Sequence, residues 1–169
     1  MRWIQASLIL AAVHFTPVYA QQPSGSIEVP AGARTVFTAK GVGLQIYGCT
    51  AAQDGARWIL KGPDAKLLDA AGEQIGAHFT GPTWKLNDGS QVLGEFVASQ
   101  PSPDADSVPW LLLRARAGSG TGKLAVVTFI RRTETHGGTP VASDCKTAGD
   151  AGKSAQVPYS ATYTFYAGP

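Results

Sequence analysis

The chain has 169 residues, 14 Lys and Arg against 12 Asp and Glu, a formal net charge of +2 and only two cysteines. Its basic residues are scattered rather than interleaved with aromatics, so neither a nucleic acid nor an anionic membrane is implied as a partner. No cofactor motif is present, and no apolar run after the first twenty residues is long enough to span a membrane.

The chain opens MRWIQASLILAAVHFTPVYA. One positive charge, Arg2, precedes an apolar stretch from Ala6 to about Phe15, and Val18-Tyr19-Ala20 supplies a small-residue ending. That pattern predicts a signal peptide over residues 1–20, too short in its apolar part to cross about 30 Å of hydrocarbon. Residues 21–169 are then one β-rich domain, periplasmic or secreted, with enough chain to bury a core without metal support.

Period-two patterning dominates this domain. Short strands are predicted at Thr35–Thr38, Arg57–Lys61, Lys66–Leu68 and Ile75–Thr80. Val42–Cys49 is apolar on both faces, with Val42, Leu44 and Ile46 set against Tyr47 and Cys49. Gln91–Ala98 alternates, as does Trp110–Arg116, where Leu111, Leu113 and Ala115 oppose Arg114 and Arg116. Leu124–Ile130 reads as another strand apolar on both faces, suited to a covered position. The cleanest case is Tyr159–Tyr166, with Tyr159, Ala161, Tyr163 and Phe165 on one side and Ser160, Thr162 and Thr164 on the other. Turn dipeptides at Asp54-Gly55, Gly81-Pro82, Asp88-Gly89 and Gly137-Gly138 separate the runs. The fold expected is all-β: an antiparallel sandwich or partly closed barrel of about nine strands, with long loops near 99–107 and 147–154.

Export places Cys49 and Cys145 in an oxidising compartment, which favours a disulfide between them over two free thiols or a metal pair. Closing so long a loop is worth about 4–5 kcal/mol in the chain-entropy model.

Few residues offer chemistry. The run from Ala117 to Lys123 departs from a phosphate-binding loop, with Ala117 where Gly is needed and Leu124 where a hydroxyl would hold magnesium. The densest cluster is His78-Phe79-Thr80-Gly81-Pro82-Thr83-Trp84 with Asp88-Gly89-Ser90. If Ile75, Ala77 and Phe79 share the apolar face, His78 sits on the polar one. There it can act as acid or base oriented by Asp88, while Trp84 walls a pocket. The plainer reading is favoured: His78 bonds a loop carbonyl, Trp84 fills core and Asp88 makes a turn. His136 precedes a Gly-Gly turn, and spacing gives no support to a metal shared by His78 and His136. Arg131 and Arg132 can hold an anion, but a strand end exposed beside Glu134 is the duller account.

Several segments occur in a telling order: Gly41-Val-Gly-Leu-Gln-Ile-Tyr-Gly-Cys49, His78 to Trp84 with Asp88-Gly-Ser90, Pro109-Trp-Leu-Leu113, Arg132-Thr-Glu-Thr-His-Gly-Gly138 with Pro140, Cys145, and Tyr159-Ser-Ala-Thr-Tyr163. Together they resemble the uncharacterised exported family known as domain of unknown function 3455. The resemblance spans nearly all of residues 21–169. It implies one domain and export, and brings no activity or site residues with it. The leading expectation is a binding or structural module for a small molecule, glycan or envelope component. Its candidate ligand residues are His78, Trp84, Asp88 and His136. The rival is a hydrolase using His78 with Asp88, with or without a metal.

Overall fold

The computed structural model describes residues 25–169, so the expected signal peptide lies outside the described residues. Eight strands follow: β1 (Arg34–Ala52), β2 (Gly55–Leu68), β3 (Gln74–Phe79), β4 (Thr83–Leu86), β5 (Gln91–Gln100), β6 (Trp110–Ser119), β7 (Phe129–Gly137) and β8 (Ser154–Ala167). Each pairs antiparallel with the next, and β1 pairs also with β8, so the sheet closes into a barrel. Closure leaves no edge strand exposed to pairing with another chain.

Some expected short strands run together. Thr35–Thr38 and Val42–Cys49 belong to β1, and Arg57–Lys61 and Lys66–Leu68 to β2, each bent where its ladder slips register. Leu124–Ile130 is a correction. A 3-10 turn at Lys123–Val126 interrupts it, and only Phe129 onward is strand. Leu124 and Val127, three residues apart, are both buried in the main core, where they close one end of the barrel.

The interior is filled from β4 and β8. Tyr159, Ala161, Tyr163 and Phe165 of β8 face inward, as their alternation predicts, and Trp84 of β4 meets them. The facing strand β1 must then be slim. Its inward residues include Ala39, Gly41 and Gln45, while Val42 is exposed, although this run was expected to be covered on both faces. In β3 the expected faces are inverted: Gly76 and His78 point in and Phe79 is 37% exposed. A small barrel has room for a few large side chains only, so the strands opposite them carry small ones.

A second apolar cluster lies outside the barrel. Ile27 and Val29, from the segment before β1, pack with Ala98, Leu112, Phe129 and Tyr166. This explains why β6 is apolar on both faces around Leu112. Cys49 and Cys145 form the expected disulfide, with their Cα atoms 5.7 Å apart. It fastens the β7–β8 connection to the β1–β2 hairpin, where Ala56 N–H donates to the Lys146 carbonyl and Trp58 Nε1–H to that of Val141. The 147–154 loop contains a single 3-10 turn at Ala148–Asp150, capped reciprocally by Thr147 and Asp150. Among the described residues no helix is long and apolar enough to cross a membrane.

Candidate functional site

Strand lengths place the most enclosed cavity among the described residues. β1, β2 and β5 have 19, 14 and 10 residues, whereas β3 and β4 have 6 and 4. The β3–β4 hairpin is therefore the lowest point of the rim, and the barrel interior opens above its Gly81-Pro82 turn. The cavity there has a volume of about 270 Å3. Leu60, Lys61, Pro63, Pro82 and Phe96 line its outer part, and Gln45, His78, Trp84, Leu113, Arg132 and Tyr163 its inner part. The mouth of a β-barrel is a usual place for a small-molecule site, and mostly apolar walls with a few polar groups are its usual chemistry.

His78 and Trp84 come together here because β3 and β4 pair them directly. Their rings stack at 4.3 Å with 6° between planes, and Tyr163 meets both edge-on, at 5.0 Å from His78 and 5.6 Å from Trp84. His78 Nδ1 lies 2.9 Å from the Thr83 carbonyl. A carbonyl only accepts, so Nδ1 carries the proton and Nε2 keeps its lone pair. Burial pushes the imidazole down to about 3; the bond to Thr83 opposes this and the charge of Arg132 adds to it. The ring is thus neutral at physiological pH, a fixed acceptor rather than a base poised near 7.

Asp88 lies elsewhere. It sits in the β4–β5 turn, at the closed end of the barrel, whereas His78 is near the open end. Its carboxylate accepts from Ser90 N–H, Ser90 Oγ–H and Lys123 N–H, bonds that hold it below the usual carboxylate range. His136 is also apart. It is exposed, with Nδ1 2.8 Å from Asp104 Oδ2 in the loop after β5. Of the four expected residues, then, two converge and two do not. Among the described residues no three His, Cys, Asp or Glu side chains gather closely enough to hold a metal.

Three cavity residues escaped the sequence reading. Gln45 is 1% exposed, and neither its amide oxygen nor its nitrogen finds a partner within the protein. Arg132, expected on an exposed strand end, is 8% exposed, because it lies two residues beyond inward-facing Ile130 and opposite Tyr163 of β8. Its Nε and Nη2 both donate to the Pro109 carbonyl, at 3.1 and 2.7 Å. Tyr163 was legible as core but not as a cavity wall. Burial pushes its hydroxyl up, and it lies 3.4 Å from the Tyr159 hydroxyl. Trp84 Nε1–H is also buried without an acceptor. The available signal was period two itself, since Ile130 and Arg132 share a face, as do Tyr163 and Phe165.

No curated protein and no solved structure matches the chain. A family model described as "Protein of unknown function (DUF3455)" matches residues 30–167, a span that takes in all eight strands, both cysteines and every cavity residue. The chain belongs to that family.

Proposed function

We propose that this protein is an exported barrel that binds a small molecule in the cavity above the β3–β4 hairpin. The observation that carries the reading is Gln45. A buried amide without hydrogen bonds costs about 1–3 kcal/mol, so natural interiors rarely retain one. Whatever serves it must enter through the cavity it lines. The stacked His78 and Trp84 supply a flat apolar wall, and Leu60 and Phe96 an apolar lip. The disulfide supports a periplasmic or secreted location, where such bonds persist. The hydrolase reading loses its basis in geometry, because His78 and Asp88 are at opposite ends and His78 is held neutral.

The cavity suits a molecule of one or two rings, since about 150 Å3 accommodates benzene. The test is a fluorescence titration with 1-aminoanthracene, an uncharged probe, on the oxidised protein and on Leu111→Trp, which fills the lining. Saturable enhancement that Leu111→Trp abolishes, with its unfolding midpoint unchanged, is expected. Equal enhancement in both proteins overturns the site.

A further inference from the structure

Arg132 narrows the chemistry of the ligand, and the narrowing rests on the binding site just described. A guanidinium never loses its proton in a protein, and taking it out of water is costly unless an opposite charge goes with it. Arg132 is buried, yet among the described residues no carboxylate pairs with it. The undescribed residues 1–24 contain no Asp or Glu. The Pro109 carbonyl, on the Nε–Nη2 edge of Arg132, and the Tyr163 hydroxyl, which the guanidinium also reaches, are both neutral partners. Neither partner neutralises the guanidinium, and Arg132 lines the cavity.

The groups around it also favour an acceptor. The Gln45 amide nitrogen and the Trp84 indole N–H are donors without acceptors, and the Tyr163 hydroxyl lies opposite Arg132 across the β7–β8 ladder. Lys61 adds a second positive charge nearer the mouth. A single buried cation matches one negative charge, and the planar two-donor edge of guanidinium matches a carboxylate. We propose that the cavity binds an organic monocarboxylate, its head group on Arg132 and its apolar body between the His78–Trp84 stack and the lip formed by Leu60 and Phe96.

Isothermal titration of the oxidised protein with 2-naphthoate and with its uncharged isostere 2-naphthamide tests this. Hydrogen bonds to a charged group are worth enough to predict a preference of roughly 10- to 100-fold for the carboxylate. Arg132→Met is expected to erase the preference by weakening naphthoate alone, while Arg132→Lys, still charged but lacking the fork, retains part of it. Should Arg132→Met not fold, as judged by its near-ultraviolet circular dichroism, the comparison of the two ligands on the unsubstituted protein decides. Equal affinity for both overturns the carboxylate assignment and leaves the cavity standing. Binding of neither, together with no response to 1-aminoanthracene, overturns both.

Discussion

Gly41 of β1 lies flat against the ring of Tyr163, so that a β-carbon at position 41 would come within 2.5 Å of Tyr163 Cε2 and 3.1 Å of Cδ2. Tyr163 is fully buried and cannot swing aside, because His78 and Trp84 bracket it. Gly41→Ala is therefore expected to cost about 1–3 kcal/mol through overpacking, and to displace the ring that walls the cavity. A urea unfolding curve reads the first effect, and a weakened response to 1-aminoanthracene reads the second. An unchanged midpoint would show that the β1–β8 contact is looser than this geometry requires.

That contact also shows what a single sequence can reveal. On β8 the large inward residues Tyr159, Tyr163 and Phe165, with Ala161 between the first two, fall on one period-two face, and alternation finds them directly. On β1 and β3 the inward face is Gly41, Gln45, Gly76 and His78, less hydrophobic than the outward Val42 and Phe79. Ranking faces by hydrophobicity inverts β3 and leaves β1, apolar on both sides, undecided, because their interior positions were chosen for size, to leave room for rings from the opposite wall. The inversion hid the cavity as well: it placed His78 on an outer polar face with Asp88 and overlooked Gln45. The disulfide, by contrast, needed only cysteine count and compartment.

The pH dependence of stability follows from His78. Its folded value of about 3 lies below the ordinary 6.5, so between those values the unfolded chain binds a proton that the native barrel excludes. The contribution is complete above pH 6.5 and falls as pH drops, approaching about 1.4 kcal/mol per pH unit within the window. Unfolding free energies from pH 7 to about 5 should slope accordingly, above the range where the carboxylates begin to contribute. His78→Phe should keep the stack on Trp84, lose a constant amount for the orphaned Thr83 carbonyl, and flatten the slope. A slope that survives the substitution would assign it to another group.

The Cys49–Cys145 bond holds the segment before β8 against the β1–β2 hairpin. The Cys49→Ala, Cys145→Ala double variant is expected to lose about 2–5 kcal/mol, most of it by releasing a long loop in the unfolded chain. Chemical denaturation of the double variant beside the oxidised parent measures this directly, and coincident curves would refute it.

Gln45 sets stability against binding. Replacing it with Leu, of comparable bulk and without polar atoms, removes an amide that the protein itself leaves unpaired. Gln45→Leu should raise the unfolding free energy by about 1–3 kcal/mol while weakening naphthoate binding and leaving Arg132 to hold part of the preference over naphthamide. A substitution that destabilises the barrel would show instead that the amide is served within the native interior.

The two ends of the barrel can be separated by Ser90. Its hydroxyl is fully buried, donates to Asp88 and accepts from Leu124 N–H at 3.1 Å, so it ties the β4–β5 turn to the 3-10 turn that closes the barrel. Ser90→Ala leaves that Leu124 N–H buried without an acceptor, and about 1–3 kcal/mol of stability should be lost. Asp88→Ala acts on the same tie, removing the acceptor of Ser90 and of Lys123 N–H. Because neither residue lines the cavity, both variants should keep the parent's affinity for 1-aminoanthracene at temperatures where they remain folded. The contrast matters for the rival assignment, in which Asp88 serves His78. Were Asp88→Ala to abolish binding with its unfolding midpoint intact, the open and closed ends would be coupled in a way this geometry does not provide. Loss of stability with binding retained would confine Asp88 to holding the floor of the barrel.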